Sequence, residues 1–160
     1  EGALISGIAF TKDESEIIIK GVKDQPGVAS KILGPIGDAN IEVDMIVQNV
    51  GSDGLADFTF TVSRNSLNKA VKVIEKHKKI MGYQNIESKR NIVKVSLVGV
   101  GMRSHAGIAS KMFKCLAKNQ VNIRMISTSE IKISVVIDQK NLEIAVQALH
   151  NEFKLEKKNN

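Results

Sequence analysis

The chain has few aromatic residues and one cysteine, and both scarcities restrict its function. Aromatic residues make up 4% of its 160 residues, and tryptophan is absent. Proteins that bind single-stranded nucleic acid stack the bases on aromatic side chains, so this composition disfavours such a surface. The lone Cys115 excludes an internal disulfide and suits a reducing compartment, so we predict a cytoplasmic protein. We expect Cys115 to be a small core side chain on a helix.

Long apolar runs are also missing, and the positive charge is spread along the chain. No run reaches the ~18 residues of a membrane-spanning helix, and we expect no secretory leader. The net charge is +6. The densest lysine groups, at 76–79 and 154–158, lie at a predicted helix end and in the C-terminal tail. Cations stabilise the negative end of a helix dipole. We therefore predict neither a membrane nor a nucleic acid as a partner.

The sequence repeats itself at a fixed spacing. GVASKI at 27–32 returns as GIASKM at 107–112, an offset of 107 − 27 = 80. IEVDMIVQN at 41–49 returns as VNIRMISTS at 121–129, an offset of 121 − 41 = 80. A period this long exceeds that of solenoid repeats and indicates two small domains. Domains of about 70–80 residues are near the lower limit for independent folding, so we expect mutual packing or oligomerisation.

The first repeat predicts the order strand, helix, strand, strand, helix, strand. Apolar periodicity places the strands at 16–22, 41–50, 55–62 and 83–88, and the helices after residues 27 and 66. Asp24 and Ser66 are candidate helix caps. Pro35 is expected to kink the first helix near its end.

The second repeat follows the same order but ends without a good closing strand. Its predicted strands cover 93–100, 121–128 and 131–137, and its helices cover 107–118 and 142–149. The segment 153–157 is a poor, lysine-rich candidate for a fourth strand, whereas the apolar segment 3–10 has no place in the first unit. We therefore predict an α+β protein with a first domain at 15–90, inserted into a second domain formed by 1–14 plus 91–160. A linker role for 3–10 is the alternative.

The sequence carries none of the common catalytic motifs. The sequence has no phosphate-binding GxxxxGK[ST] loop, no HExxH and no CxxC. Gly99 and Gly101 follow a strand, but Ser104 stands where a dinucleotide-binding turn needs its third glycine. His77 and His150 fall late in predicted helices and are expected at the surface. We predict a chain without catalytic activity, metal or cofactor.

The βαββαβ order also occurs in RNA-binding domains of the RRM type, and this is the alternative reading. Phe58 and Phe60 alternate on a central strand, as base-stacking aromatics do. The second repeat has Ile131, Ile133 and Val135 in that region, which cannot stack on bases. We therefore predict that both phenylalanines face the core.

The turn between first strand and first helix is the best candidate for a binding site, because both repeats have it. It covers 23–29 in the first repeat and 101–109 in the second. Glycine lets the backbone approach a ligand, and free amides at a helix start favour a carboxylate. The following strand ends in polar residues, at 48–49 and at 128–130. Ordinary turn and capping chemistry is the alternative.

At these residues the chain closely resembles the tandem ACT domains of aspartate kinases. The matching stretches are ISGIAF at 5–10, DQPGVASKI at 24–32, IEVDMIVQN at 41–49, KVSLVGVGMRSHAGIASK at 94–111 and VNIRMISTSEIKISVVI at 121–137. The resemblance implies two ferredoxin-like βαββαβ domains, the first inserted into the second, and a homodimer formed by ACT–ACT pairing. It also implies that threonine, lysine or both bind between paired domains and inhibit the phosphorylation of aspartate by a catalytic domain or subunit.

The resemblance further implies two effector-binding sites. One uses Asp24, Gly27, Ala29 and Gln48, facing Asn122 and Ile123 of the partner chain. The other uses Met102, Ser104, His105, Gly107, Thr128, Ser129 and Glu130, facing Ile41 and Asp44. Pro35 and the short loop at 51–54 depart from the family pattern, and that loop neighbours the first site.

Overall fold

The computed structural model describes residues 4–102 and 106–155. The chain divides into two compact units, one of residues 13–90 and one of the residues up to 12 together with those from 91 onward. In the described part of the chain, no helix is long and apolar enough to cross a membrane.

Two long strands correct the predicted element boundaries. β1 runs from Leu4 to Lys23 and β4 from Asn85 to Val100. Each joins two strands that the sequence predicted as separate. At the predicted breaks, Asp13 and Asn91 have φ angles of 59° and 60°. Asp and Asn tolerate this left-handed conformation, so each strand continues past a local irregularity instead of ending in a turn.

The unit of residues 13–90 is a helix-covered antiparallel sheet. Its strand order is β2-β3-β1-β4, and β3 pairs antiparallel with both neighbours. After β1 come helix α1 (Val28–Asp38), strands β2 (Val43–Val50) and β3 (Leu55–Ser63), and helices α2 (Leu67–Lys76) and α3 (Lys78–Met81).

Periodicity places the core of this unit where the sequence predicts it. Val28, Ile32 and Ile36 recur every four residues on α1 and are buried. Phe58 and Phe60 alternate along β3, are 1% and 0% exposed, and belong to the same core cluster. Their predicted core role is confirmed.

Helix α1 continues through Pro35 to Asp38, and the kink expected at Pro35 stays a prediction. Two capping predictions in this unit are wrong. Gly27, not Asp24, is the residue that precedes α1, and no side chain caps the helix. Ser66 stands at the cap position of α2, but its side chain makes no capping hydrogen bond.

The second unit repeats this plan. Helix α4 (Ala106–Lys118), strands β5 (Met125–Thr128) and β6 (Lys132–Asp138), and helix α5 (Leu142–Glu152) follow β4. β6 pairs antiparallel with β4 and β5. The predicted strand at 121–128 begins only at Met125, and the chain turns before it at Gln120, whose φ is 58°. The predicted α+β fold of ferredoxin-like units is confirmed.

The N-terminal part of β1 contributes to the core of the second unit. Ile5 and Ile8 pack against a cluster that includes Val95, Val135 and Leu149. Residues 153–155 form a turn and an irregular end, and the rest of the weak strand candidate at 153–157 lies outside the described residues. These contacts support the insertion of the first domain into the second, which stays a prediction.

Candidate functional site

The start of α1 is an open surface with free hydrogen-bond donors. Gly27 has φ 90° and is exposed, and nothing lies within 4 Å of the place where a Cβ would stand. The first amides of a helix have no partner within the helix, and among the described residues no capping side chain accepts from them. The amide of Val28 is the exception, because it donates to the carbonyl of Gln25 over 3.1 Å. The exposed Ala29 follows. A carboxylate fits such a helix start.

Asp24 joins this helix start to the β2–β3 hairpin. Its amide donates to the carbonyl of Gly54 over 3.0 Å, and its side chain is exposed. Asp24 and Gly27 therefore lie in one loop whose position depends on the hairpin that follows β2.

Gln48 lies on β2, opposite Phe58 of β3. Residues directly opposite in a sheet share a face, so Gln48 is on the side of the sheet that the helices cover. β2 is the edge strand of its unit, and Gln48 is exposed. Among the described residues, no hydrogen bond engages its side-chain amide. Gln48 can therefore both donate to and accept from a ligand.

In the second unit, two predicted site residues are joined by a hydrogen bond. The amide of Met102 donates to the carbonyl of Glu130 over 2.9 Å, and Gly99 donates to Ile131 over 2.8 Å. The loop after β4 is thus tied to the β5–β6 turn. The Glu130 side chain is exposed. Met102 is 2% exposed and belongs to the core.

Ser129 has a structural role in the same turn. Its amide donates to the carbonyl of Lys132 over 2.8 Å, and its Oγ accepts from the amide of Lys132 over 3.2 Å. Thr128 and Gly107 are exposed. Ser104 and His105 lie outside the described residues.

The four residues expected from the partner chain differ in availability. Asn122 is exposed and Ile123 is half-buried. Ile41 is 5% exposed, and its side chain packs in the core of its own unit. Asp44 is exposed and already takes part in an interaction within the chain.

A polar cleft lies on the other face of the β2–β3 sheet, and the sequence did not predict it. Asn49 and Asp57 are opposite each other in this cleft of about 380 Å³, and Asp57 Oδ1 accepts from the amide of Gly21 over 2.9 Å. Gly21 has φ 72°, and an added Cβ would meet the Gln84 side chain at 2.6 Å. In the sequence, the alternation of Asp57 with Phe58 indicates a polar face of β3 but not a cleft.

Among the titratable groups of the described residues, no group of three or more His, Cys, Asp or Glu side chains is placed to hold a metal ion. Burial raises the pKa of the Cys115 thiol, Glu152 raises it further, and Lys118 opposes the shift. Cys115 is buried, as predicted.

Both described histidines lie at helix ends, and each is half-buried. Nδ1 of His77 lies 2.8 Å from the carbonyl oxygen of Val73, and Nδ1 of His150 lies 3.3 Å from that of Leu155. These contacts with the main chain give both side chains a structural role at helix ends.

Comparison with known proteins gives one consistent family. Models of the ACT domain match residues 15–79 and 95–153. The chain is 60% identical over 156 residues to an aspartate kinase of Stutzerimonas stutzeri, covering 98% of this chain and 38% of that protein. It thus spans about two fifths of the length of the curated relatives it matches.

Solved structures agree in fold over nearly the whole chain. The structure of aspartokinase alpha and beta subunits contains a chain that is 48% identical, with a TM-score of 0.88 and coverage of 94% of this chain and 99% of that one. The regulatory subunit of aspartate kinase from Thermus thermophilus is 36% identical, with a TM-score of 0.87 and coverage of 93% and 98%.

A more distant structure shares the fold alone. Aspartokinase III of E. coli, solved in complex with lysine and aspartate, is 19% identical, with a TM-score of 0.71 and coverage of 94% of this chain and 34% of that one.

Together with the two ACT-domain matches, the closer relatives establish that the chain belongs to the aspartate kinase family, as its regulatory region of two ACT domains.

Proposed function

We propose that this chain senses end-product amino acids for an aspartate kinase. Threonine, lysine or both bind at interfaces between ACT domains and feedback-inhibit the phosphorylation of aspartate. The catalytic partner is the remaining part of the kinase, on the same or a separate polypeptide. The proposal places the protein in the cytoplasm, where the Cys115 thiol stays reduced.

The observation that carries this proposal is the uncapped start of α1 at Gly27. A free amino acid has a carboxylate, an ammonium group and one discriminating side chain. Helix-start amides suit the carboxylate, and the open space at Gly27 lets a ligand approach the backbone. The amide of Gln48 suits a threonine hydroxyl, because it can donate and accept.

The edge strands support a homodimer around these sites. β2 and β5 are edge strands, and each exposes an isoleucine: Ile46 is 44% exposed and Ile126 is 45% exposed. The two positions differ by 126 − 46 = 80, the repeat spacing. An edge with free main-chain groups and apolar side chains is suited to pair with another strand. A second copy of this chain supplies such a strand, and with it the partner residues Asn122 and Ile123.

Lysine binding needs an anion for the ε-ammonium. In the second unit, the exposed carboxylate of Glu130 stands on the turn that is tied to Met102. Glu130 is our candidate for that anion, which gives the two proposed sites different side-chain chemistry.

Titration calorimetry of the isolated chain with a panel of amino acids tests the proposal. Binding of threonine or lysine, without binding of their D-enantiomers, is the expected result. Salt-sensitive binding of single-stranded RNA, with no amino acid bound, would favour the RRM-like alternative instead. The burial of Phe58 and Phe60 argues against that alternative, because neither ring is open to a base.

A further inference from the structure

A groove in the second unit lies between β1 and α5, and its lining includes none of the residues assigned above to amino-acid binding. We call it the β1–α5 groove. Its volume is about 550 Å³. Its lining includes Phe10, Lys12, Lys140, Leu142, Glu143 and Val146. Leu142 and Val146 lie four residues apart on one face of α5 and pack against the core, so they give the groove a fixed apolar wall.

Phe10 is the unusual member of this groove. The chain has five phenylalanines, one tyrosine and no tryptophan. Phe10 is 48% exposed, whereas the other aromatic side chains are buried or half-buried. Aromatic residues are enriched in the buried centres of protein interfaces. An exposed phenylalanine in a chain with so few aromatics therefore marks a surface that another protein covers.

Charge around the groove favours an acidic partner. Lys12 and Lys140 are both exposed, and neither forms an ion pair with a carboxylate of the described residues. The Lys12 ammonium lies 5.8 Å from the centre of the Phe10 ring. Glu143 is the one acidic side chain in the lining. The groove thus offers an apolar wall, an aromatic ring and a surplus of positive charge.

We propose that the β1–α5 groove docks the catalytic part of the aspartate kinase, through a segment with an apolar side chain next to a carboxylate. This inference rests on the proposed function. The chain covers 38% of its Stutzerimonas stutzeri relative, so 100 − 38 = 62% of that kinase lies outside it. A regulatory region must touch this larger part to change its activity. An acidic residue of the catalytic part can form an ion pair with Lys12 or Lys140. A second copy of this chain, whose net charge is +6, is electrostatically a less favourable partner for these lysines.

Site-specific photo-cross-linking in the complete kinase, regulatory and catalytic parts together, tests the docking. A benzophenone amino acid replaces Phe10, and another replaces Ile80, which is 61% exposed in the other unit, as a control. Cross-links from position 10 to the catalytic part, with few or none from position 80, are expected. Cross-links from position 10 only to a second copy of this chain, or none to any other polypeptide segment, would overturn the proposal.

Charge variants test the acidic partner. We expect Lys140→Glu to lower the yield of the position-10 cross-link several-fold, about fivefold for a partly screened ion pair at an interface. Lys79→Glu, an equal charge change in the other unit, should leave the yield unchanged, and Glu143→Gln should not lower it. Equal losses in Lys140→Glu and Lys79→Glu would refute the specific role of the groove.

Calorimetry on the isolated chain separates this inference from the proposed function. Lys140→Glu should bind threonine and lysine as the unmodified chain does. If amino acids bind but the cross-links contradict docking, the groove assignment alone is wrong. If no amino acid binds, the proposed sensing function fails, whatever the cross-links show.

Discussion

Asn40 and Gln120 adopt the same left-handed backbone at the ends of equivalent helices. Their φ angles are 57° and 58°, and their positions differ by 120 − 40 = 80. The amide of Asn40 donates to the carbonyl of Gly37, and that of Gln120 to the carbonyl of Ala117, both over 2.9 Å. The repeat in the sequence is therefore also a repeat of hydrogen bonds, and both domains end their first helix in the same way.

Glycine at these two positions should raise the stability of the fold by unequal amounts. A left-handed conformation costs about 1–2 kcal/mol for most residues, and less for Asn, whose short side chain bonds locally. We expect Gln120→Gly to raise the free energy of unfolding by about 0.5–1 kcal/mol and Asn40→Gly by less. Urea denaturation followed by circular dichroism measures both. A loss of stability in Gln120→Gly would contradict the strain argument.

Periodicity predicts the cores of both units, but not the continuity of the strands. Asp13 and Asn91 are typical turn residues, so the sequence suggests breaks there. In the structure each occupies a single left-handed position inside a strand. Whether the chain turns or continues as a strand at these residues depends on pairing with neighbouring strands, which are distant in sequence.

The site is predictable in outline for a similar reason. Gly27 and Gln48 follow from turn and strand patterns, and both are exposed. The contact of Asp57 with the amide of Gly21 depends on the register of β1 against β3, which the sequence does not reveal. The hydrogen bond that Ser129 Oγ accepts within its own turn is likewise not predictable from the sequence, because serine is common both in turns and in ligand-binding sites.

Charged residues on the edge strands should prevent dimer formation. Ile46→Lys and Ile126→Lys each put a cation in place of an exposed apolar side chain on an edge strand, which opposes strand pairing. We expect monomers by light scattering at tens of micromolar protein, with or without threonine and lysine. Ile80→Lys, at an exposed position on α3, is the control and should remain a dimer. Dimers in both edge variants would place the interface elsewhere.

The N-terminal segment should stabilise the second unit selectively. Ile8 is half-buried against the core of that unit, whereas Ser6 on the same strand is exposed. Ile8→Asp buries a charge, so we expect faster amide exchange across 93–137 with little change at 28–74. Ser6→Asp is the matched control and should exchange as the unmodified chain does. Unchanged protection at 93–137 in Ile8→Asp would refute the domain insertion.

Gln48 should contribute to threonine binding without affecting the fold. We expect Gln48→Ala to weaken threonine binding by roughly 1–2 kcal/mol, the cost of a lost buried hydrogen bond in the paired site. Calorimetry measures the affinity, and thermal unfolding shows whether the fold is intact. Gln147→Ala, an exposed amide on α5, should bind threonine normally. If Gln48→Ala and Gln147→Ala bind threonine equally well, Gln48 is not a ligand-binding residue.

Glu130 should contribute to lysine binding and not to threonine binding. Its carboxylate is exposed in the single chain, so its attraction for the lysine ε-ammonium is screened by water and salt. We expect Glu130→Ala to weaken lysine binding by about 1 kcal/mol, and by more at low ionic strength. The backbone bond from Met102 to the carbonyl of residue 130 survives the change, so the turn should keep its shape. Glu75→Ala removes the same charge from α2 and controls for net charge.

Calorimetry on Gln48→Ala and Glu130→Ala should therefore give separable losses, the first for threonine and the second for lysine. If both variants bind both amino acids as the unmodified chain does, these two assignments are wrong.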